Sequence, residues 1–387
     1  MQIKEYNNNN KVTLIKSGKI YFDRIIELIK NAHKKIHIQT YIFLEDETGK
    51  KVAEELIAAA KRKVEIYLLV DGYASKSIST SLINKLISAG IHFRFFRPFL
   101  KSNFRYFTRR LHHKIIVIDN NIGIVGGLNI ADRYNDVQNI KAWLDFAVII
   151  EGETVEELDQ LCENMWQNDS FETNHHIKND HPFTYHFKKE EKSDIRIRLN
   201  DWLKHKSQIS AAYIEMFRKA KKEITILCSY FLPGRVMRRQ MMRAVKRGVV
   251  VKVVVAGPSD VWIAKNAERW LYDWLLRNKI QIFEYQNNIL HGKIAVYDDT
   301  AATIGSYNIN NLSTYSSIEL NVDIKNTFFA KQVKETINEI IENHCKNITE
   351  KEHKKSNNII KQFSRWLSYQ LIYGVYSILT IAFKRKH

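Results

Sequence analysis

The feature that most constrains the fold is a motif that occurs twice, nearly half the chain apart. Each copy reads His-x-Lys, then Asp after four residues, then Gly-(Gly/Ser)-x-Asn after six more. The copies run from His112 to Asn129 and from His291 to Asn308. One copy would be weak evidence, but two copies with the same internal spacing predict a duplicated structural unit.

Both halves alternate between short β-rich runs and amphipathic helical runs. This alternation is typical of a largely parallel α/β sheet, so we expect an α/β fold with two similar sheet domains packed face to face. The predicted organisation is a first half at 1–170, a polar linker at 171–206, a second half at 207–345 and a basic amphipathic segment at 346–387.

The motif residues form a set that suits phosphodiester chemistry. His and Lys two positions apart on a strand point to the same face, so both pairs would converge if the halves pack face to face. Imidazoles supply a nucleophile and an acid or base, while ammonium and amide groups stabilise charge on phosphate oxygens. The predicted catalytic residues are His112, Lys114, Asp119, His291, Lys293 and Asp298, and the predicted phosphate-binding residues are Asn129, Asn308 and Ser306.

Two carboxylates ahead of apolar β-runs are predicted to orient the histidines, namely Asp145 and Glu319. The motif aspartates end their strands, and we expect them to act as structural partners of the site. His113 should face away from His112. The four histidines between 175 and 186 match no familiar ligand spacing, so neither a metal nor another cofactor is predicted.

The charge of the chain points to a polyanionic partner. Its formal net charge is +18. Charge alone does not separate nucleic acid from an anionic membrane. Three scattered cysteines and a polar N-terminus predict no disulfide framework and no secretory signal.

The doubled motif resembles that of the phospholipase D superfamily. Longer stretches are similar to bacterial cardiolipin synthases of the B type, among them QTYIFLEDETGKKVAEELIAAAKR, GGLNIADRY and LHGKIAVYDDTAATIGSYNINNLS. The resemblance implies a duplicated phospholipase D fold with one shared active site, and a phosphatidyltransferase with a phosphohistidine intermediate. It also implies that His112 is the nucleophile and His291 the acid and base. Departures at Asn310, Leu312 and Ser317 leave the acceptor open.

The C-terminal run Trp366–Phe383 is uncharged and lies between basic clusters. A helix of this length spans about 27 Å, less than the roughly 30 Å hydrocarbon core, which favours an interfacial anchor. A helix docked on the protein core is the alternative. Arg97–Arg110 is a second basic stretch, either at the mouth of the site, where it would hold anionic headgroups, or in a solvated loop.

These features predict an enzyme at the cytoplasmic side of the cell membrane, in peripheral contact with anionic phospholipids and without a stable nucleic acid partner. A phospholipase D-type hydrolase, a metal-independent nuclease and a non-enzymatic membrane scaffold are the competing interpretations.

Overall fold

The computed structural model describes residues 5–98, 109–169, 185–204, 206–310, 317–356 and 358–384. The elements of the first half are β1 (Asn7–Lys16), α1 (Lys19–Lys30), β2 (Lys35–Thr40), α2 (Glu47–Lys61), β3 (Glu65–Asp71), α3 (Thr80–Ser88), β4 (His92–Phe96), β5 (Arg110–Leu111), β6 (Ile115–Ile118), β7 (Ile122–Gly126), β8 (Phe146–Gly152) and α4 (Thr154–Asn168).

The remaining elements are β9 (Lys192–Asp201), β10 (Lys206–Ser207), α5 (Gln208–Lys219), β11 (Glu223–Cys228), α6 (Arg235–Lys246), β12 (Val250–Ala256), α7 (Trp262–Trp270), α8 (Tyr272–Arg277), β13 (Gln281–Tyr285), β14 (Lys293–Tyr297), β15 (Ala301–Gly305), β16 (Ser317–Lys325), α9 (Thr327–His344), β17 (Cys345–Asn347), α10 (Glu350–Ser356) and α11 (Ile359–Lys384).

The strand order is duplicated. In the first half β4, β3 and β2 are parallel neighbours, and β6, β7, β8 and β1 continue the sheet as antiparallel strands. In the second half β13, β12 and β11 are parallel, and β14, β15 and β16 continue antiparallel. Each motif begins at the strand that follows the parallel part, β6 in one half and β14 in the other. The predicted duplicated α/β fold is confirmed. The expectation of largely parallel sheets is wrong, because antiparallel pairs outnumber parallel pairs in both halves.

Strand β9 joins the two sheets, because it pairs with β1 on one side and β16 on the other. It lies inside the segment predicted as a linker at 171–206, and the sequence analysis did not anticipate it. Its alternation of charged and apolar residues, KSDIRIRLND, places Ile195, Ile197 and Leu199 in the core. The second sheet also passes the predicted boundary at 345, since β17 pairs with β13.

The main hydrophobic core lies between the two sheets. It contains buried residues of both halves, such as Val148 of β8 and Ile294 of β14, together with Leu158 of α4 and Ile337 of α9. Two further clusters fill the space between each sheet and its outer helices. The shared cluster confirms the predicted face-to-face packing and fixes the motif strands relative to each other.

The C-terminal segment is helical and partly docked. One face of α11 packs on α7, with Tyr369 and Ile372 next to Leu232 and Leu271. The other face exposes apolar side chains, and Ile359 is 84% exposed. Within the described ranges, no helix is both long and apolar enough to cross a membrane.

Candidate active site

The two motif aspartates close the same turn in each half. Asp119 and Asp298 follow β6 and β14 at positive φ, 53° and 52°, a conformation that Asp tolerates better than most residues. The Asp119 carboxylate accepts backbone N–H bonds from residues 33–35 at 2.7–3.0 Å. The Asp298 carboxylate accepts the equivalent bonds from residues 221–223 at 2.6–3.0 Å. These contacts tie the motif strands to β2 and β11, in keeping with the predicted structural role.

The backbone at each motif histidine is anchored in the opposite half. His112 donates its N–H to the carbonyl of Ile318 at 3.0 Å, and His291 donates to the carbonyl of Leu144 at 2.8 Å. Ile318 and Leu144 immediately precede the two carboxylates that the sequence predicted to orient the histidines.

The rings follow the same crossed arrangement. His112 Nδ1 lies 2.9 Å from the Glu319 carboxylate. His291 Nδ1 lies 2.6 Å from Asp145 Oδ2. Each half therefore provides the carboxylate that contacts the histidine of the other half, a pairing that the sequence left open. The two motifs meet in one site.

Burial opposes the protonation of both imidazoles. Burial lowers the pKa of His112 in spite of the Glu319 carboxylate. Burial and the Lys293 ammonium lower the pKa of His291 to about 4. Burial acts to raise the pKa of Asp145, but Lys293 and His291 hold it below its ordinary value. With Nδ1–H donated to a carboxylate, Nε2 keeps the lone pair that a nucleophile or base requires.

The motif lysines are almost fully enclosed, with Lys114 5% and Lys293 1% exposed. Each donates from Nζ to the backbone carbonyl of its own motif histidine. Burial lowers the pKa of Lys114 to about 7 and also lowers that of Lys293. A bound phosphodiester anion favours the charged ammonium forms, so substrate and cations stabilise each other in the site.

The motif asparagines are positioned through their side-chain carbonyls. Asn129 Oδ1 accepts from the N–H of Ile42 at 3.0 Å, and Asn308 Oδ1 accepts from Ser229 Oγ at 2.7 Å. With these oxygens engaged by the protein, the amide nitrogens are left as the donors.

Ser306, predicted to contact phosphate, instead donates its hydroxyl to Glu319. In the first half Gly127 stands at this place in the motif. A Cβ there would approach Asp145 Oδ1 to 2.4 Å. Glycine thus lets Asp145 come close in one half, whereas serine binds Glu319 in the other.

Tyr134 is a site residue that the sequence analysis missed. Its buried hydroxyl receives a hydrogen bond from Asn129 Nδ2 at 2.8 Å and lies 3.4 Å from His291 Nε2. Its ring contacts the His291 imidazole edge to face, with centroids 5.2 Å apart. The available signal was the position of this tyrosine, five residues after Asn129 in GGLNIADRY. Tyr134 and Asn129 therefore form a chain that ends at Nε2 of His291.

Replacing Tyr134 with phenylalanine should lower kcat about five- to tenfold and change KM little, because the ring contact stays while a weak hydrogen bond at Nε2 is lost. Steady-state kinetics would measure this effect. Tyr67→Phe removes a hydroxyl that pairs with Glu65 outside the site and is the matched control. Equal kcat values for Tyr134→Phe and Tyr67→Phe would show that the Tyr134 hydroxyl does not act on His291.

One group of side chains in the described part of the chain has ligand atoms close enough for a metal ion. His37, Asp159 and Glu163 place these atoms within 4.8 Å of one another. Lys35 Nζ already bonds to Asp159 at 2.6 Å and to Glu163 at 2.8 Å. An ammonium therefore balances the two carboxylates, and none of these residues contacts the catalytic histidines.

Comparison with known proteins assigns the chain to a family. The family model "Cardiolipin synthase, PLD-like domain" matches residues 25–166 and 213–341, which include both motifs and both carboxylates. The chain belongs to this phospholipase D-like family. Cardiolipin synthase B of Salmonella typhi is 35% identical over 359 residues, covering 89% of this chain and 84% of that protein. Cardiolipin synthase B of Escherichia coli K12 is 33% identical over 353 residues, with the same coverage.

Solved structures support the fold assignment. Phosphatidylserine synthase of Haemophilus influenzae Rd KW20 superposes with a TM-score of 0.72 at 16% identity and covers 94% of both chains. Polyphosphate kinase of Porphyromonas gingivalis has a TM-score of 0.61 at 13% identity, covering 95% of this chain and 53% of the kinase. The family model and the curated relatives confirm the resemblance to the phospholipase D superfamily and to B-type cardiolipin synthases.

Proposed function

We propose that this protein transfers a phosphatidyl group from a phospholipid donor to a phosphatidylglycerol-type acceptor and thereby makes cardiolipin. The observation that carries the proposal is the crossed pairing of each histidine with the opposite carboxylate around two enclosed lysines. This arrangement provides a nucleophile, a proton donor and a cationic pocket for one phosphodiester. The similarity to curated cardiolipin synthases gives the substrate class.

In the first step the Nε2 lone pair of His112 attacks the donor phosphorus. A phosphorus–nitrogen bond forms, and the bond from phosphorus to the headgroup oxygen breaks. The Lys114 and Lys293 ammoniums and the Asn129 and Asn308 amides stabilise the charge on the non-bridging oxygens.

The departing headgroup alcohol takes a proton from His291. Burial and Lys293 lower the pKa of His291, whereas a bound phosphodiester anion favours the imidazolium. In the second step neutral His291 accepts the proton of the incoming hydroxyl, whose oxygen attacks phosphorus. The phosphorus–nitrogen bond then breaks and releases His112.

The direct test incubates purified protein with phosphatidylglycerol vesicles and identifies the lipid products by mass spectrometry. Cardiolipin and free glycerol are expected. Phosphatidic acid as the only product would mean that water is the acceptor and the protein is a hydrolase. Cleavage of DNA, with phosphatidylglycerol unchanged, would favour the nuclease alternative. Expression in a cardiolipin-deficient host with lipid analysis would extend the test to cells.

Peripheral contact with an anionic membrane is part of the proposal. The apolar side chains of α11 that do not pack on α7 are solvent-exposed and lie near exposed lysines of the tail. The apolar members include Ile359, Ile360, Phe363, Leu367 and Leu371, and the basic members are Lys351, Lys354, Lys355 and Lys361. Apolar insertion and attraction to anionic headgroups act together at such a surface. Of the second predicted basic contact, Arg97–Arg110, residues 99–108 lie outside the described part of the chain.

A triple change to serine at Ile359, Ile360 and Phe363 should weaken binding to phosphatidylglycerol vesicles about a hundredfold. Each apolar side chain contributes about 1 kcal/mol of binding free energy at the wet interface, less than it would contribute in a protein core. Vesicle sedimentation would measure the change. Ile20→Ser is the control, because Ile20 is 65% exposed on α1. Unaltered sedimentation of the triple variant would exclude this face of α11 as the contact.

A further inference from the structure

A second cavity, separate from the catalytic site, lies where α7 and α11 meet the end of the second sheet. Its volume is about 400 Å³, within the range of small-molecule sites. Its lining residues come from α7, α8, β13, β17, α10 and α11, and they include none of the motif residues. The reaction proposed above does not use it.

The wall of this cavity carries excess positive charge. Four cations line it, Arg269, Lys346, Lys361 and Arg365, against two carboxylates, Glu284 and Glu352. These counts leave two positive charges in excess.

Both carboxylates are already bound by cations. Glu284 receives two bonds from Arg269, at 3.0 and 3.1 Å, and lies 3.1 Å from Lys265 behind the wall. Glu352 lies 3.5 Å from Lys346. The field that remains inside the cavity is therefore that of a cationic site.

Two buried groups point to the same conclusion. The Asn266 amide nitrogen is buried in the wall and has no hydrogen-bond partner among the residues that the structure describes. Burial and the neighbouring Arg269 guanidinium lower the pKa of Arg365, which is 7% exposed. The Asn266 amide would be stabilised by an anion with acceptor oxygens, because a buried donor without a partner is costly. The same anion would offset the repulsion between Arg269 and Arg365.

The rim of the cavity is apolar, which favours a lipid over a free anion as the ligand. Trp262 lines the opening and is 66% exposed, and Ile263 beside it is also exposed. Ile360, on the same turn of α11 as Lys361, is 79% exposed. A headgroup phosphate in the cavity would leave acyl chains next to these side chains.

We propose that this cavity is a non-catalytic binding site for the phosphate-bearing headgroup of an anionic phospholipid. Lys361, Arg365 and the Asn266 amide bind the phosphate oxygens, and Trp262 contacts the glycerol and the start of the acyl chains. The site would fix the orientation of α7 and α11 on an anionic membrane through a specific headgroup contact. It does not depend on the transferase proposal.

The test is a calorimetric titration of full-length His112→Ala protein, in which lipid cannot turn over, with dihexanoyl phosphatidylglycerol below its micelle concentration. Two binding sites are expected, one at the motifs and one in the cavity. Lys361→Gln and Arg365→Gln should each weaken the second site about tenfold, the effect of losing one charge-assisted hydrogen bond. Lys331→Gln changes an exposed lysine of α9 that lies outside both the cavity and the membrane-contact surface, so it is the matched control and should leave both sites unchanged.

The outcomes separate the two proposals. If the motif site fails to bind lipid, the cavity site should still be present. Equal losses for Lys361→Gln and Lys331→Gln, or no second site, would overturn the cavity proposal. Inorganic phosphate that binds the cavity as tightly as the short-chain lipid would overturn the lipid assignment. If Arg365→Gln does not fold, Lys361→Gln decides the question, because Lys361 is exposed and its loss leaves the core intact.

Discussion

Replacing His112 with alanine is expected to lower phosphatidyl transfer by about four orders of magnitude or more. The expectation follows from the loss of the group that forms the covalent bond, since removal of a catalytic nucleophile has effects of this size or larger. The measurement is the initial rate of cardiolipin formation from phosphatidylglycerol vesicles. The circular dichroism spectrum should be unchanged, because the crossed anchor at this position uses the backbone N–H of His112 and not its ring.

The neighbouring histidine provides the control for this variant. His113 is fully buried and its Nε2 lies 2.8 Å from Gln39 Oε1, as expected for a side chain directed away from the site. His113→Gln should therefore lower thermal stability and leave kcat within a few-fold of the value for the unmodified protein. Such a change corresponds to about 1 kcal/mol at most in the activation free energy. A His112→Ala protein that retains a tenth of the activity would refute the proposed nucleophile.

Removing the charge from the orienting carboxylates should have the second largest effect. Glu319→Gln and Asp145→Asn are each expected to reduce kcat by about 10²–10⁴, because an amide can stabilise the wrong imidazole tautomer. Because of the crossed pairing, the rates of the two variants should depend on the donor in different ways. Glu319 contacts His112, so Glu319→Gln should slow formation of the covalent intermediate with every donor. Asp145 contacts His291, so Asp145→Asn should be partly rescued by a donor whose leaving group needs no proton, such as a p-nitrophenyl ester.

Single-turnover rates with both donors would test this difference. Pairing within each half would give the reverse pattern, with rescue of Glu319→Gln by the activated donor. Asp119→Asn is the control among the motif carboxylates, since that side chain binds backbone amides of residues 33–35. It should reduce stability more than it changes the donor dependence of the rate.

The residue types and spacing of the motifs were sufficient to predict that the motif histidines and lysines gather with Asp145 and Glu319, but not that Tyr134 joins them. The same information did not determine the pairing between them. Asp145 follows His112 and Glu319 follows His291 at similar distances in the two halves, so the sequence also allows each carboxylate to pair with the histidine of its own half. Long-range backbone contacts determine the pairing. The carbonyls of Leu144 and Ile318 each accept the N–H of the histidine in the opposite half. Periodicity within one segment carries no information about such contacts.

The other differences have equally local causes. Ser306 was predicted to contact phosphate because it stands in the Gly-rich run, but Glu319 lies close enough to take its hydroxyl. Strand β9 was assigned to a linker because the histidine-rich stretch before it shows no period. The tail was predicted to be a membrane anchor or a docked helix, and α11 packs one face on α7 and exposes the other. Composition alone could not divide its apolar residues between these two faces.

The central claim is that one site, built from both halves, works through a covalent intermediate on His112. The most direct measurement incubates the His112→Ala and His291→Ala proteins with a radiolabelled phosphatidyl p-nitrophenyl ester and counts acid-labile, base-stable label on the protein. The His291→Ala protein should carry label, because its nucleophile remains and the leaving group needs no proton. The His112→Ala protein should carry none. Label on His112→Ala alone would reverse the two roles, and equal label on both would contradict the single-nucleophile site.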